Sequence, residues 1–417
     1  MGRFVSAVAV LVAMCGPVLG ANWPGFRGPT GDGVSLEKKL PLHWSSTENV
    51  RWKTPLPEGG NSSPIVWSNR IFLTQAVDKG SRRLVMCFDR ADGKLVWQRE
   101  TPYREKESTH ADNPYCSATP VTDGTRVIAS LGSAGMVCYD FSGQELWRTD
   151  LGKLEHIWGN ASSPILYGNL CILWCSPGPR QFLLAVDKST GQTVWEIKEP
   201  GGIKGDDKDS QSWAGSWSTP IVVRAGNHDE LILCVPEKVR GLDPLTGKEL
   251  WSCSGLSKLV YTSPVHADNI VVAMSGFHGP ALAVRTGGKG DVSATHRLWR
   301  HTDKIPQRIG SAVIVGERVY ILNEEGMAQC FELKTGKEVG QKERLSSDRS
   351  WGSFVVGAGR LYVTNLAGET LVLKPDPPFE LIAKNKIGER VLSSCAVSDG
   401  EIFIRSYQHL WCVGEKR

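Results

Sequence analysis

The residues best suited to chemistry stand shortly ahead of a recurring Ser/Thr-Pro pair or its weaker, proline-free copies: Asn61, Asn160, Trp217, Tyr261, Arg308 and Trp351. Two long stretches add more. Thr101 to Tyr115 carries His110, Asp112 and Asn113, and Glu196 to Ser216 carries Asp206, Asp207, Asp209 and Trp213. Indole and phenol faces stack on flat or sugar-like molecules, while amides and a guanidinium bind acceptor oxygens and negative charge. The set suits a planar, anionic or sugar-like ligand. It equally suits ordinary polar turns around a water-filled channel, and the sequence leaves both readings open.

Catalysis finds less support. There is no Gly-x-Ser-x-Gly elbow, His-Glu-x-x-His helix or phosphate loop. The acids at 206–209 lack the spacing of a calcium loop. The histidines are scattered, with His278 and His409 expected on loops that face the same opening as the long stretches. No metal site is expected, and no residue is assigned a catalytic role.

Something must hold those residues together, and a repeat does. Ala185-Val186-Asp187-Lys188-Ser189-Thr190-Gly191-Gln192-Thr193-Val194-Trp195 reads as strand, turn and strand. The Asp accepts turn amide hydrogens, Gly takes the positive φ, and Trp offers a wide packing face. Copies stand at Asp89, Gly93 and Trp97, at Asp243, Gly247 and Trp251, and, shortened, at Asp140, Gly143 and Trp147.

Upstream of each hairpin runs Ser/Thr-Pro and an apolar segment, at Ser63, Thr119, Ser163, Thr219 and Ser263. Weaker copies follow at Ser311, Ser353 and Ser394, giving eight starts 41 to 56 residues apart. Four short strands per unit of that length is the period of a propeller blade. The eighth unit supplies three strands and stops at Leu410-Trp411-Cys412-Val413. Its fourth is expected from the N-terminal side, where Asn49-Val50-Arg51-Trp52-Lys53 matches Lys94-Leu95-Val96-Trp97-Gln98. The sequence therefore predicts an all-β, eight-bladed propeller of four-stranded antiparallel blades over residues 49–417. Pairing of the N- and C-terminal segments would close it and leave no long free edge.

Residues 1–20 read as a secretory signal peptide, with Arg3, an apolar run too short to span a bilayer, and Val18-Leu19-Gly20 at the cleavage end. Met14 is too large for a lipobox, which argues against lipidation at Cys15. Residues 21–48 hold Trp23 and Phe26 among glycines and prolines, and read as a strap across the outside or base of the ring. A net charge of +4 over 417 residues, without a basic block, disfavours nucleic acid and strong membrane attraction. No transmembrane segment is expected, and the reading is an exported monomer of the periplasm or cell envelope. The ten cysteines past the leader fall at blade positions where small apolar fillers are wanted, so free, buried thiols are expected.

The repeated Ala-x-Asp-x-x-Thr-Gly-x-x-x-Trp resembles the tryptophan-docking repeat of the PQQ-like (quinoprotein and BamB-type) β-propeller family. From Asn22-Trp23-Pro24-Gly25-Phe26-Arg27-Gly28-Pro29 to Leu410, the chain resembles the exported PQQ-binding-like propellers of planctomycete-type bacteria. Arg285, Glu332 and Lys374 depart from the Asp position, and Val339 and Ile382 from the Trp position, so the fifth to seventh blades are expected to dock less tightly. The resemblance implies two functional readings. One is a non-catalytic module that binds a protein or glycan at the loop-rich mouth. The other is a periplasmic quinoprotein dehydrogenase acting on alcohols or sugars with PQQ and calcium. The adjacent-cysteine pair of such dehydrogenases is missing from this chain.

Overall fold

Each hydroxyl-proline signature opens an inner strand, because Pro at its start needs no ladder hydrogen bond. In the first blade Ile65–Trp67 is followed by Arg70–Val77, Arg82–Asp89 and Leu95–Pro102, paired in that order, inside to outside. The middle strands are buried on both faces, whereas along the outer strand only Trp97 and Thr101 are buried. The computed structural model describes residues 22–199, 214–302, 307–376 and 379–415. The leader expected over residues 1–20, with Cys15, and the stretch holding Asp206, Asp207, Asp209 and Trp213 lie outside the described residues.

Six further blades run from Val121–Thr122 to Glu145–Thr149, Ile165–Tyr167 to Thr193–Glu199 and Ile221–Ala225 to Glu249–Ser254. They continue from Val265–Ala267 to Arg297–His301, Val313–Val315 to Glu343–Arg344 and Val355–Gly357 to Glu380–Lys386. The eighth combines Ala396–Ser398, Glu401–Arg405 and His409–Val413 with Val50–Pro55, which pairs antiparallel from Val50 against Val413 to Pro55 against His409. The ring is an eight-bladed propeller, closed by the two ends of the chain.

A second closure runs around the inside. The amide of Ser63 donates to the Thr119 hydroxyl at 2.9 Å, Thr119 to Ser163, Ser163 to Thr219, and Thr219 to Ser263. Ser263 donates to Ser311, Ser311 to Ser353, Ser353 to Ser394, and Ser394 back to Ser63 at 3.0 Å. Eight signature hydroxyls thus form an unbroken hydrogen-bonded collar. The weak copies at Ser311, Ser353 and Ser394 lack the proline yet keep the hydroxyl that the collar uses.

The hairpin tryptophans explain how blades stack. Trp97 donates its indole N–H to Phe141 O at 2.9 Å in the second blade, and Trp147 donates to Lys188 O at 2.9 Å in the third. Each ring lies on the turn glycine of the next blade: a Cβ on Gly143 would meet Trp97 at 2.8 Å, and one on Gly191 would meet Trp147 at 2.6 Å. Gly93 and Gly247 receive Trp52 and Trp195 in the same way. These four glycines also hold φ between 71° and 85°. The turn carboxylates of Asp89, Asp140, Asp187 and Asp243 accept amide hydrogens two residues on.

Two tryptophans behave differently from the repeat. Trp251 turns into its own blade, donating to Glu230 at 2.8 Å and covering Gly241. An inserted strand of the next unit, Gly290–Asp291, pairs parallel with Trp251 and Ser252 and makes the fourth blade five-stranded. Past that insertion Trp299 takes the docking role, donating to Leu333 O at 2.8 Å and stacking on Gly336. The looser docking expected after the fourth blade therefore does not hold where the fifth blade meets the sixth.

The strap crosses the end of the ring away from the 101–115 loop. Trp23 exchanges two backbone hydrogen bonds with Val66, Thr122 donates to Pro24 O, and Val356 donates to Gly33 O. Arg27, fully buried, donates to the carbonyls of Gly31, Asp32, Ser311 and Ala312. The ten described cysteines are buried, and burial pushes up the thiols of nine of them, with Cys116 raised to about 12. No helix among the described residues is long and apolar enough to cross a membrane.

Candidate functional site

The cavity at the mouth, about 670 Å³, is built in two tiers by one register rule. The lower tier is the hydroxyl collar. The upper tier is the residue two positions before each hydroxyl: Asn61, Ser117, Ala161 and Trp217 on one half, Tyr261, Ile309, Trp351 and Leu392 on the other. Extended backbone alternates its side chains, so a residue two before a channel-facing hydroxyl also faces the channel.

That alternation corrects two expected mouth residues. Asn160 and Arg308 stand three before their hydroxyls and turn outward, while Ala161 and Ile309 take their places in the lining. Asn160 donates to Leu154 O at 3.3 Å and borders a small neighbouring cleft. Arg308 is 2 % exposed, and burial lowers its guanidinium pKa to about 10. The expected meeting of Asn160, Trp217, Arg308 and Trp351 is reduced to Trp217 and Trp351.

Trp217 anchors an aromatic arc. Its ring lies 5.8 Å from Trp158 and 5.1 Å from Tyr261, and Tyr261 lies 6.4 Å from Phe277. The Trp217 indole N–H is held by Gly159 O at 2.8 Å, leaving the ring faces to the cavity. Trp158 and Phe277 escaped the sequence reading because neither precedes a signature. Phe277, 44 % exposed beside His278, was the legible signal, since a large apolar residue at a loop tip calls for a partner. Across the cavity Trp351 donates to Glu324 at 2.9 Å, and Arg349 reaches the same carboxylate at 3.4 Å.

His110, Asp112 and Asn113 reach the cavity on the tip of the 101–115 loop. The loop is anchored below by Glu107, buried against Arg83 and accepting from Ser133 at 2.9 Å. The Arg83 guanidinium also lies 4.4 Å from the Tyr103 ring and 4.9 Å from that of Tyr115. At the tip Asn113 donates to Trp158 O at 2.6 Å, Asn61 donates to Asp112 O at 2.7 Å, and the Asp112 carboxylate pairs with Arg390. Asn61 and the loop are thus fixed together before any ligand arrives. His409 is engaged elsewhere, 2.8 Å from Glu389.

His156 stiffens the arc from behind, with its ring 5.3 Å from that of Trp217. It is 1 % exposed, and burial alone lowers its pKa from 6.5 to about 4. The unfolded chain binds this proton below pH 6.5 while the folded protein refuses it until about 4. The stability contributed is complete above pH 6.5 and is lost as pH falls towards 4, by about 3 kcal/mol on linkage grounds. His156→Phe is expected to flatten that part of the stability profile, as measured by urea unfolding at pH 4.5 and 7. An unchanged slope in the variant would assign it to other groups.

The calcium of the dehydrogenases finds no donor set among the described residues. Asp112 and Glu324 are committed to arginines and an indole, and no three His, Cys, Asp or Glu side chains among the described residues gather as a metal site. No two cysteines are adjacent in the sequence, so the adjacent-cysteine pair of those enzymes is missing.

Docking tryptophans on turn glycines, a ring closed by both chain ends and a funnel at the loop-rich face define a PQQ-like β-propeller of the BamB type. Residues 81–342 match the family described as outer membrane protein assembly factor BamB, and the chain belongs to that family. The outer membrane protein assembly factor BamB of Nitrosomonas eutropha is 25 % identical over 272 residues, 62 % of this chain and 58 % of that protein. The match thus spans somewhat more than half the length of that relative. Among solved structures, BamB from Moraxella catarrhalis superposes with a TM-score of 0.62 at 13 % identity, covering 88 % of this chain and 97 % of that one. A europium-containing methanol dehydrogenase gives 0.67 at 11 % identity, covering 92 % and 89 %. At such identities these structures share the fold.

Proposed function

We propose that the protein is a non-catalytic binding propeller of the cell envelope that holds a segment of a protein partner in its mouth. The aromatic arc from Trp158 through Trp217 and Tyr261 to Phe277 carries this reading. It offers a wall of flat apolar surface opposite a charged wall at Glu324 and Arg349. Aromatic anchors in a partly enclosed pocket are where binding energy concentrates. The pre-formed hydrogen bonds of Asn61, Asn113 and Trp217 reduce the ordering cost on binding. The kinship with an outer membrane protein assembly factor supports the envelope as its place, in keeping with the leader read at residues 1–20.

The test titrates the purified protein with an N-acetylated Gly-Phe-Ser-Phe peptide, a chito-oligosaccharide, and PQQ with calcium, following tryptophan emission. Dye reduction with alcohols and sugars is followed in parallel. Saturable binding of the peptide without turnover is expected, and Trp217→Ala is expected to weaken it by about 2 kcal/mol or more. Saturation by the sugar alone would move the reading to a glycan, and turnover with PQQ would replace it with the dehydrogenase.

A further inference from the structure

The collar hydroxyls are polarised by the way the ring is closed. Each accepts an amide hydrogen from the preceding blade, so one lone pair is engaged. The hydroxyl hydrogens of the eight residues meet no acceptor among the described residues. All eight residues line the cavity. A hydroxyl is one donor beside two acceptor sites, and here the donor is the part left for a ligand.

Charge around the collar points the same way. Arg27, Arg308 and Arg405 are buried at 2 % exposure or less, and none forms an ion pair among the described residues. Arg27 donates to the carbonyls of Ser311 and Ala312, and Arg405 to those of Ser62 and Thr74. Carbonyls satisfy their N–H groups without cancelling their charge. Arg308 has two buried nitrogens, Nε and Nη1, with no hydrogen-bond partner. Of the acids lining the mouth, Asp112 and Glu324 are matched instead by the more exposed Arg390 and Arg349, while Glu325 is exposed to solvent. The Asp32 carboxylate acts on Arg27, whereas no carboxylate answers Arg308 or Arg405 among the described residues, and their positive charge in a poorly solvated wall favours an anion in the channel it surrounds.

Entry is one-sided, because the strap crosses the opposite opening and places Phe26 in the cavity wall. What reaches the collar from the mouth is therefore the leading end of whatever enters. Building on the reading of the mouth as a seat for a protein segment, we infer that the collar receives that segment's C-terminal carboxylate. Two oxygens with about four acceptor positions match neighbouring hydroxyl donors, and the charge answers Arg308 and Arg405. The aromatic arc above would hold the side chains that precede the terminus.

Isothermal titration with N-acetylated Gly-Phe-Ser-Phe as the free acid and as its C-terminal amide separates the two claims. The acid is expected to bind at least about tenfold more tightly, the scale of one charge-assisted hydrogen bond. Arg308→Met should shrink that ratio towards one while leaving the amide's affinity in place. Ser353→Thr, which keeps the hydroxyl, should preserve the ratio, and Ser353→Ala should lower it. Equal binding of acid and amide would overturn the collar assignment and leave the mouth reading standing. Binding of neither peptide to the folded protein would overturn both. Acetate or inorganic phosphate binding as tightly as the peptide acid would assign the collar to free oxyanions and overturn the protein terminus.

Discussion

A chain lacking residues 49–56 is expected to lose its single cooperative unfolding transition and to associate in solution. Three interactions vanish together. The ladder of Val50–Pro55 against His409–Val413 goes, and the Arg51–Glu401 ion pair goes with it. So does Trp52, which stacks on Gly93 and donates to Arg90 O at 2.8 Å. The strand left at the edge, His409–Val413, is buried along most of its length, and an uncovered apolar edge is a template for pairing with another chain. Light scattering and calorimetry check the result. A monomer with unchanged melting would mean that the collar alone closes the ring.

Trp147→Ala is expected to cost about 3–5 kcal/mol, the range for deleting a buried aromatic. The ring is 7 % exposed, covers Gly191, and donates to Lys188 O across the blade junction. Trp195→Ala should cost clearly less. Trp195 occupies the corresponding place on Gly247, but it is half-buried and its indole N–H has no partner among the described residues. Urea unfolding of the two variants measures the difference. Equal losses would show that the indole hydrogen bond and the depth of burial contribute nothing to docking.

The blade count and the closing strand were legible because both rest on local chemistry. A hydroxyl at each inner strand and the Asp-to-Gly turn with its following Trp are visible one unit at a time. Trp251 was not legible, because its hairpin has the sequence of a docking hairpin. Its direction is set by Glu230 and by a strand inserted from the next unit. Trp299 was hidden by the same insertion, which moves it out of the repeat spacing. At the mouth, Asn61, Trp217, Tyr261 and Trp351 were found, whereas Asn160 and Arg308 were misplaced by a single residue. A shift of one along extended backbone turns a lining residue into one behind the wall. The phase cannot be read until the hydroxyls are known to face inward.

The two-ended closure also sets an order of events in time. Glu401 meets Arg51 across 350 positions, and the Ser394 amide reaches the Ser63 hydroxyl across 331. Bringing such distant segments together costs chain entropy before any contact rewards it, and folds dominated by distant pairings form slowly. Of the described strands, Val50–Pro55 is made first and its partner His409–Val413 last. The earliest strand therefore waits without its sheet partner while the intervening blades are made, held only by contacts such as Trp52 on Gly93. The nascent ring carries two unpaired edges until the closing strand arrives, a state exposed to association with its neighbours. The open state thus lasts until the closing strand is made, and anything that shields the first strand until then acts as a folding aid.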